Sequence, residues 1–408
     1  MFQENFSTMS PIHIYPITSP IHNAAQIEQS TKLLLAPLQA SGMEIILTED
    51  FSTYGRHNLQ IIYVRTGGTE GIFKSLAEQY ENITSCPIYL LASEESNSLA
   101  ASVEILSWLE AKGYKGEIIH GNSNYIINKI KSLYTIVKAK NRLKRQRAGI
   151  IGKPSDWLIS STADYAAVRE CLDIELVDIE IKELIEEYDK TKNYNAKIPE
   201  QLQPCNSRYF EGAIGIFNAL QNLISLHNLS ALTLRCFDLL DTIHNTGCLS
   251  LALLNSHGTP AACEGDVPAL LTMMISEALF GQTGFQANPS RINPLTGEIT
   301  FAHCTVPLNM ISRYNYDTHF ESGIGVAIHG ELPEGDATIV KVQGSLNKWF
   351  CEDVTLLHNS YEKQLCRTQV ILQTQSAAEY LLHHPIGNHH IILTGHHKAT
   401  FDEFMRSL

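Results

Sequence analysis

The sequence has no long apolar run, no excess of basic residues and no paired-cysteine motif. The apolar run at residues 269–274 is soon followed by Ser276 and Glu277, far short of the roughly 20 residues that span a bilayer. Acidic residues outnumber basic ones by 43 to 30, which gives a formal net charge of −13. Because such a chain repels phosphate backbones and anionic lipids, we expect neither nucleic acid nor a membrane as its partner.

Nine cysteines are an odd number, and none stands in a CxxC arrangement. This pattern argues against a disulfide framework and against a thiolate zinc site. The first residues, Met-Phe-Gln-Glu-Asn, contain no basic region followed by an apolar stretch, so no secretory signal is predicted. With 408 residues and 44% hydrophobic content, we expect a cytoplasmic globular protein of two or three domains.

Short β-branched runs alternate with amphipathic stretches in the first third of the chain, beginning with a strand at residues 12–17 and a helix at 24–41. This alternation predicts a parallel sheet with helices on both faces. A long helix predicted at 122–147 ends in a cluster of cations, which suit the negative end of a helix dipole. Further strands are predicted at residues 43–47, 59–65, 87–92 and 116–120.

A second βα series begins with a predicted strand at residues 148–152. Apolar runs at 231–236 and 247–254, and a third run that ends at Cys263, have the composition of buried strands. Beyond about residue 289 the strands become short and alternating, with frequent turn signals, which indicates an antiparallel barrel or sandwich.

We therefore predict an α/β protein with two Rossmann-like βα domains, each with a parallel sheet, followed by a C-terminal antiparallel, barrel-like domain. The expected boundaries are residues 1–146, 147–289 and 290–408.

The segment Pro260-Ala-Ala-Cys-Glu-Gly-Asp-Val-Pro predicts a strand, a sharp turn and a helix. Asp266 precedes a proline that the first helical turn tolerates, so it is predicted to be the N-cap. Glu264 has no comparable structural role, and it would lie at the carboxyl end of a buried strand, where open α/β sheets bind ligands. The alternative for Glu264 is an ion pair with a core cation such as Arg235.

The Glu-Gly-Asp turn resembles the segment that supplies a carboxylate metal ligand in L-arabinose isomerases, and the longer Ala-Cys-Glu-Gly-Asp-Val form is similar to L-fucose-isomerase-like proteins. Phe285-Gln-Ala-Asn-Pro, a hairpin and Phe301-Ala-His-Cys resemble the block that supplies a second carboxylate and a histidine. Gly387-Asn-His-His390 is similar to the C-terminal histidine segment of these families. The matches run from about residue 60 to the end and keep their order.

This resemblance implies a metal-dependent aldose–ketose isomerase that acts on a small sugar as a homotrimer or homohexamer. Such an enzyme removes a proton beside a carbonyl, stabilises an enediolate and returns the proton to the neighbouring carbon. Oxygen and imidazole ligands suit Mn²⁺ or another divalent cation. The resemblance implies Glu264, His303 and one of His389 and His390 as ligands, with Glu264 also a candidate catalytic acid or base.

The sequence departs from the family at Asn288, which stands where the second catalytic carboxylate is expected. An amide oxygen coordinates weakly and does not exchange a proton at neutral pH. Asp317 and Glu321 are alternative acids. Two functions therefore stay open: a sugar isomerase, or a catalytically degenerate relative that binds a sugar or sugar-like ligand without turnover.

Trp157 and Lys153 follow the first strand of the predicted second domain, where contact with the substrate is expected. Trp157 is predicted to bind the sugar because aromatic faces pack on the apolar edges of sugar rings. Lys153 and Glu321 are also predicted to bind the sugar. Packing in the core or at an interface is the alternative for Trp157 and Lys153. A glycine-rich segment at residues 67–71 lacks the spacing of nucleotide-binding loops.

Overall fold

The computed structural model of the protein describes residues 10–191 and 202–408. The chain forms two compact units, one extending through Lys138 and the other from Ala139 to Arg406. The predicted division of the chain at residues 146 and 289 stays a prediction. Among the described helices, none combines the length and apolar composition that crossing a membrane requires.

The first unit contains a five-stranded parallel sheet with strand order β2-β1-β3-β4-β5. The parallel arrangement predicted for this part of the chain is confirmed. The strands are β1 (Ile12–Ile17), β2 (Ile45–Leu47), β3 (Leu59–Val64), β4 (Ile88–Ala92) and β5 (Gly116–Ile119). The helices are α1 (Ala24–Ala40), α2 (Glu70–Gln79), α3 (Ser98–Ala111) and α4 (Ser123–Leu143), the last of which continues into the second unit.

Local sequence explains several of these elements. All six residues of β3, Leu-Gln-Ile-Ile-Tyr-Val, are buried, as expected for a central strand covered on both faces. Helix α1 begins where the Asn23 side chain accepts hydrogen bonds from two backbone amides. Helix α4 ends at Leu143 rather than at residue 147, because Arg145 adopts the left-handed conformation, with φ +61°, that terminates helices.

The second unit opens with a four-stranded parallel sheet of order β7-β6-β8-β9. Its strands are β6 (Arg147–Ile151), β7 (Glu175–Ile179), β8 (Ala231–Leu234) and β9 (Ala261–Cys263). The accompanying helices are α5 (Tyr165–Leu172), α6 (Ile181–Thr191), α7 (Phe210–His227), α8 (Asp238–Thr242), α9 (Cys248–Ser256) and α10 (Val267–Phe280).

The strand predicted at residues 247–254 is wrong, because this segment forms helix α9. Residues 248–255 are all buried, so no polar face marks the helical period. A short apolar run of this kind does not distinguish a buried strand from a buried helix, and its leucines and alanine are strong helix formers.

The last part of the second unit is a closed antiparallel barrel of order β10-β11-β16-β15-β14-β17. The predicted barrel-like domain is confirmed as architecture. The barrel strands are β10 (Phe285–Asn293), β11 (Glu298–His303), β14 (Gly335–Val342), β15 (Trp349–Asn359), β16 (Thr368–Gln373) and β17 (His390–Thr394), and the chain also forms the hairpin β12 (Arg313–Asp317) and β13 (Ala327–Glu331) and the helices α11 (Gln375–His383) and α12 (Lys398–Arg406).

One apolar core joins the second parallel sheet to the barrel. It includes Leu234 on β8, Phe285 on β10 and Val370 on β16, all fully buried. This continuous packing brings the carboxyl end of β9 close to residues at the ends of β11 and β17. The turn that follows β9, residues 264–266, is called the acidic turn below, and it meets two histidines there.

Candidate metal centre

Glu264 lies directly after β9 in a strained turn. Its φ of +64° is in the left-handed region, which costs a non-glycine residue about 1 kcal/mol or more. The turn is fixed because the Ser155 amide donates to the Glu264 carbonyl at 2.9 Å and the Gly265 amide donates to the Leu234 carbonyl at 3.1 Å. Strain that the surroundings hold in place is a feature of functional sites.

Among the described residues, Glu264, His303 and His389 form a group whose ligand atoms all lie within 4.8 Å of one another. Oε1 of Glu264 is 3.5 Å from Nε2 of His389 and 3.8 Å from Nε2 of His303. The three side chains are 12%, 0% and 5% exposed, in the order glutamate, His389 and His303. The group therefore presents one carboxylate oxygen and two imidazole nitrogens in a nearly water-free space.

Each imidazole is held through its other nitrogen. Nδ1 of His303 lies 3.0 Å from the Thr305 hydroxyl, and Nδ1 of His389 lies 2.9 Å from Oδ2 of Asp266. Metal-binding histidines usually have such an outer partner, which fixes the ring and its tautomer. Nε2 of His389 is buried without a hydrogen-bond partner, as expected of a nitrogen that is free to take a ligand.

Asp266 has two roles in the turn. As predicted, it caps α10, because its Oδ1 accepts a hydrogen bond from the Ala269 amide at 2.8 Å. Its Oδ2 contacts His389 and lies 3.6 Å from Nζ of the fully buried Lys341. Burial alone would raise the pKa of Asp266, but the Lys341 charge and the His389 hydrogen bond lower it to about 2. Asp266 is thus ionised at neutral pH.

Charges within the group stabilise each other. Burial would raise the pKa of Glu264, but its contacts with His303 and His389 bring that pKa well below its usual range. Burial would lower the pKa of His389, but Asp266 and Glu264 raise it to about 9. Glu264 and His389 therefore each favour the charged form of the other.

Trp157 donates its indole N–H to the second oxygen of Glu264, with an Nε1–Oε2 distance of 2.7 Å. The residue is 53% exposed and packs edge-on against Phe237. Trp157 thus contacts Glu264, for which the sequence carries no signal, and its predicted contact with a sugar stays a prediction. The alternative ion pair for Glu264 is not formed, because Arg235 binds Asp156 and Asp238.

Asn288 lies on β10, two residues after Gln286, whose side chain accepts a hydrogen bond from the Cys263 amide. Alternate strand residues share a face, so Asn288 is on the same face as Gln286. The β10–β17 register ends at the pair of Ala287 with His390, and Asn288 pairs with Ala302 of β11. Oδ1 of Asn288 is buried without a hydrogen-bond partner. The expectation that Asn288 holds the place of the second carboxylate stays a prediction.

His390 points away from this group. Its Nε2 is 3.0 Å from the Tyr380 hydroxyl and its Nδ1 is 2.9 Å from the Asn388 carbonyl. Burial and the charge of Lys341 lower the pKa of His390 to about 3. Of the two candidate histidines, His389 is the one that faces Glu264, because its Nε2 lies 3.5 Å from Oε1 of that residue.

The remaining predicted residues, Lys153 and Glu321, are exposed and lie outside the three-residue group. Lys153 contributes its backbone carbonyl, which would lie 2.6 Å from a Cβ at Gly265. The pKa of Cys366 is raised by contact with Cys304 and by burial, and the charges of Glu321 and Glu264 add to this increase.

No family model matches the chain. It is 23% identical over 335 residues to a sulfoquinovose isomerase of Clostridium sp. (strain MSTE9), with 74% of each chain covered. It is 20% identical over 264 residues to a sulfoquinovose isomerase of Alkalicoccus urumqiensis, and the aligned region covers 60% of this chain and 59% of that protein. The predicted similarity to sugar isomerases is confirmed at this coarse level.

Proposed function

We propose that this protein is a sugar isomerase that interconverts an aldose and a ketose with the help of a divalent cation. The observation that carries the proposal is the convergence of Oε1 of Glu264 with Nε2 of His303 and Nε2 of His389. Similarity to two proteins named as isomerases of a sugar supports the same function.

The donor set fits a divalent cation such as Mn²⁺, which accepts carboxylate and imidazole ligands. Glu264, His303 and His389 would hold the ion, and the unsatisfied amide oxygen of Asn288 is a candidate weak fourth donor. When bound, the cation would stabilise the negative charge that develops on the substrate oxygens during enolisation.

The chain itself must orient the ligands and transfer a proton between neighbouring carbons. Asp266 and Thr305 orient the two imidazoles through their Nδ1 atoms. Burial of the histidines limits the access of water, which strengthens electrostatic interactions inside the site. Carboxylates would transfer the proton, and the candidates are Glu264 in the group and the exposed Glu321.

A second function, sugar binding without turnover, is favoured by Asn288. This residue supplies an amide where the resemblance places a proton-transferring carboxylate. Such a protein would keep the ion and the sugar site but would not exchange the proton. The two functions differ in turnover, not in ligand binding.

The test is calorimetric titration of the metal-stripped protein with Mn²⁺ at neutral pH. We expect the wild type to bind one ion per chain and the Glu264→Gln variant to lose that binding. The exposed Glu334→Gln variant, in a turn outside the group, is the matched control. Absence of specific binding by the wild type would overturn the metal-dependent function.

The same protein is then screened with aldoses and ketoses, including sulfoquinovose, for which both relatives are named. Interconversion of a sugar supports the isomerase. Sugar binding without product, under conditions where Mn²⁺ is bound, supports the degenerate relative and contradicts the isomerase.

We further propose that the protein acts as a homotrimer or homohexamer, as the families that it resembles do, and that its three domains divide near residues 146 and 289. Light scattering coupled to gel filtration measures the assembly, and a monomeric mass would contradict this proposal.

A further inference from the structure

We propose that Trp157 is a positioning residue for Glu264. Its indole N–H holds Oε2 of the carboxylate, so that Oε1 alone is directed at the two imidazoles. This inference rests on the proposed function, because the ion is what the positioned oxygen would bind. It assigns to Trp157 a role beyond the contact with sugar that the sequence predicts.

The geometry of the carboxylate supports this role. Oε2 lies 2.7 Å from Nε1 of Trp157, whereas Oε1 lies 3.5 and 3.8 Å from the two histidine nitrogens. The two oxygens therefore have separate neighbours. A hydrogen bond to an ionised carboxylate is stronger than one between neutral groups, and this one opposes rotation of the carboxylate about its last bond.

The indole is itself held in place. Its ring packs edge-on against Phe237, with ring centroids 4.9 Å apart and an interplanar angle of 83°. On either side of Trp157 the chain is bonded to the acidic turn: the Ser155 amide donates to the Glu264 carbonyl, and the Ser161 hydroxyl donates to Asp266. The loop and the turn therefore form one hydrogen-bonded unit, and the indole N–H is preorganised.

Exposure separates this role from ordinary core packing. Trp157 is 53% exposed, although its N–H reaches a carboxylate that is only 12% exposed. A tryptophan that served only to fill the core would be buried on its faces. The exposed part of the ring remains free for a sugar, while the N–H serves the carboxylate.

The chain offers a matched control in Trp349, whose indole donates to Oδ1 of Asp402 at 2.8 Å. Trp157→Phe and Trp349→Phe each remove one bond between an indole and a carboxylate and keep an aromatic ring. We expect Trp157→Phe to weaken Mn²⁺ binding by about 10-fold, the lower end of the range for outer partners of metal ligands. Trp349→Phe leaves Mn²⁺ affinity unchanged, and calorimetry measures both.

A metal-free readout tests the hydrogen bond directly. The protein has three tryptophans, so ¹⁵N-tryptophan labelling gives three indole N–H resonances, and the Trp157 signal is the one that Trp157→Phe removes. We expect Glu264→Gln to shift this resonance and to leave the Trp349 resonance in place. An unshifted Trp157 resonance overturns the inference, whether or not the wild type binds Mn²⁺.

The affinity outcomes separate the two proposals. If the wild type does not bind Mn²⁺, the proposed function fails, while the resonance still reports on the Trp157 bond. If the wild type binds Mn²⁺ and Trp157→Phe binds it equally well, the positioning role is wrong and the function stands. An equal loss of affinity in Trp349→Phe would also overturn the role, because a general loss of packing would then explain both variants.

Discussion

Nδ1 of His389 lies 2.9 Å from Oδ2 of Asp266, and this contact leaves the opposite nitrogen of the ring directed at Glu264. The same aspartate caps α10 through its other oxygen. One side chain thus couples the start of a buried helix to the orientation of a candidate metal ligand. Lys341, fully buried beside Asp266, balances its charge.

Asp266→Asn is expected to weaken Mn²⁺ binding by at least about 10-fold, because an amide holds the His389 tautomer less firmly than a carboxylate. It should also destabilise the fold by about 3 kcal/mol, because it breaks a buried ion pair and leaves Lys341 without its counter-charge. Calorimetry and urea unfolding measure these effects. Asp164→Asn is the control, since Asp164 caps helix α5 without contacting the site.

A double variant, Asp266→Asn with Lys341→Met, separates the two effects. Removal of both charges relieves the unpaired lysine, so most of the lost stability should return. Mn²⁺ affinity should stay low, because His389 still lacks its carboxylate partner. Recovery of affinity together with stability would show that Asp266 acts only through the fold.

Gly265→Ala tests the tightness of the acidic turn. A Cβ at this position would lie 2.6 Å from the Lys153 carbonyl oxygen and 2.8 Å from Cα of Pro154, both backbone atoms. Gly281→Ala is the matched control. The φ of Gly281 is +66° and that of Gly265 is +73°, but a Cβ added at Gly281 would have no atom within 4 Å. We expect a loss of about 1 kcal/mol for Gly281→Ala and a clearly larger loss for Gly265→Ala.

Mn²⁺ binding should be lost or strongly weakened only in Gly265→Ala, because the turn that carries Glu264 must move. Thermal unfolding and calorimetry measure the two quantities in parallel. Equal stability and equal affinity in the two alanine variants would mean that the turn tolerates displacement from the Lys153–Pro154 backbone.

Much of this fold is predictable from the sequence because strands and helices alternate in hydrophobic pattern. The failure at residues 247–254 has a physical cause: a helix buried on every side shows no 3.6-residue period. The pair His389 and His390 shows a similar limit. Alternation predicts that one ring faces the site and the other does not, but it does not say which.

The site is less predictable than the fold. Glu264 and His303 follow from the order of short motifs, whereas the Trp157 bond depends on how a loop crosses the turn. The sequence gives no sign that Lys341 is buried at the site, because lysine is among the residues least often buried and its strand has the pattern of an ordinary barrel strand. Contacts between distant segments, rather than local pattern, determine these residues.

Asn288→Asp restores a carboxylate at the position where the resemblance expects one. Because Asn288 follows Ala287, which pairs with His390, and its amide oxygen is buried and unsatisfied, the new carboxylate should add a ligand and raise Mn²⁺ affinity. Calorimetry measures the change, and Asn315→Asp on β12 serves as the control. Unchanged or weaker binding would place residue 288 outside the reach of the ion.

Glu321→Gln tests the source of the catalytic proton. If Glu321 serves as the second acid or base, the variant should bind Mn²⁺ as the wild type does but lose turnover by about 100-fold or more, the usual contribution of a general acid or base. Glu334→Gln, also exposed and outside the ligand group, should keep both properties. Initial rates on the sugar identified in the screen, measured with saturating Mn²⁺, give the comparison. Undiminished turnover in Glu321→Gln would mean that Glu264, the other candidate carboxylate, transfers the proton.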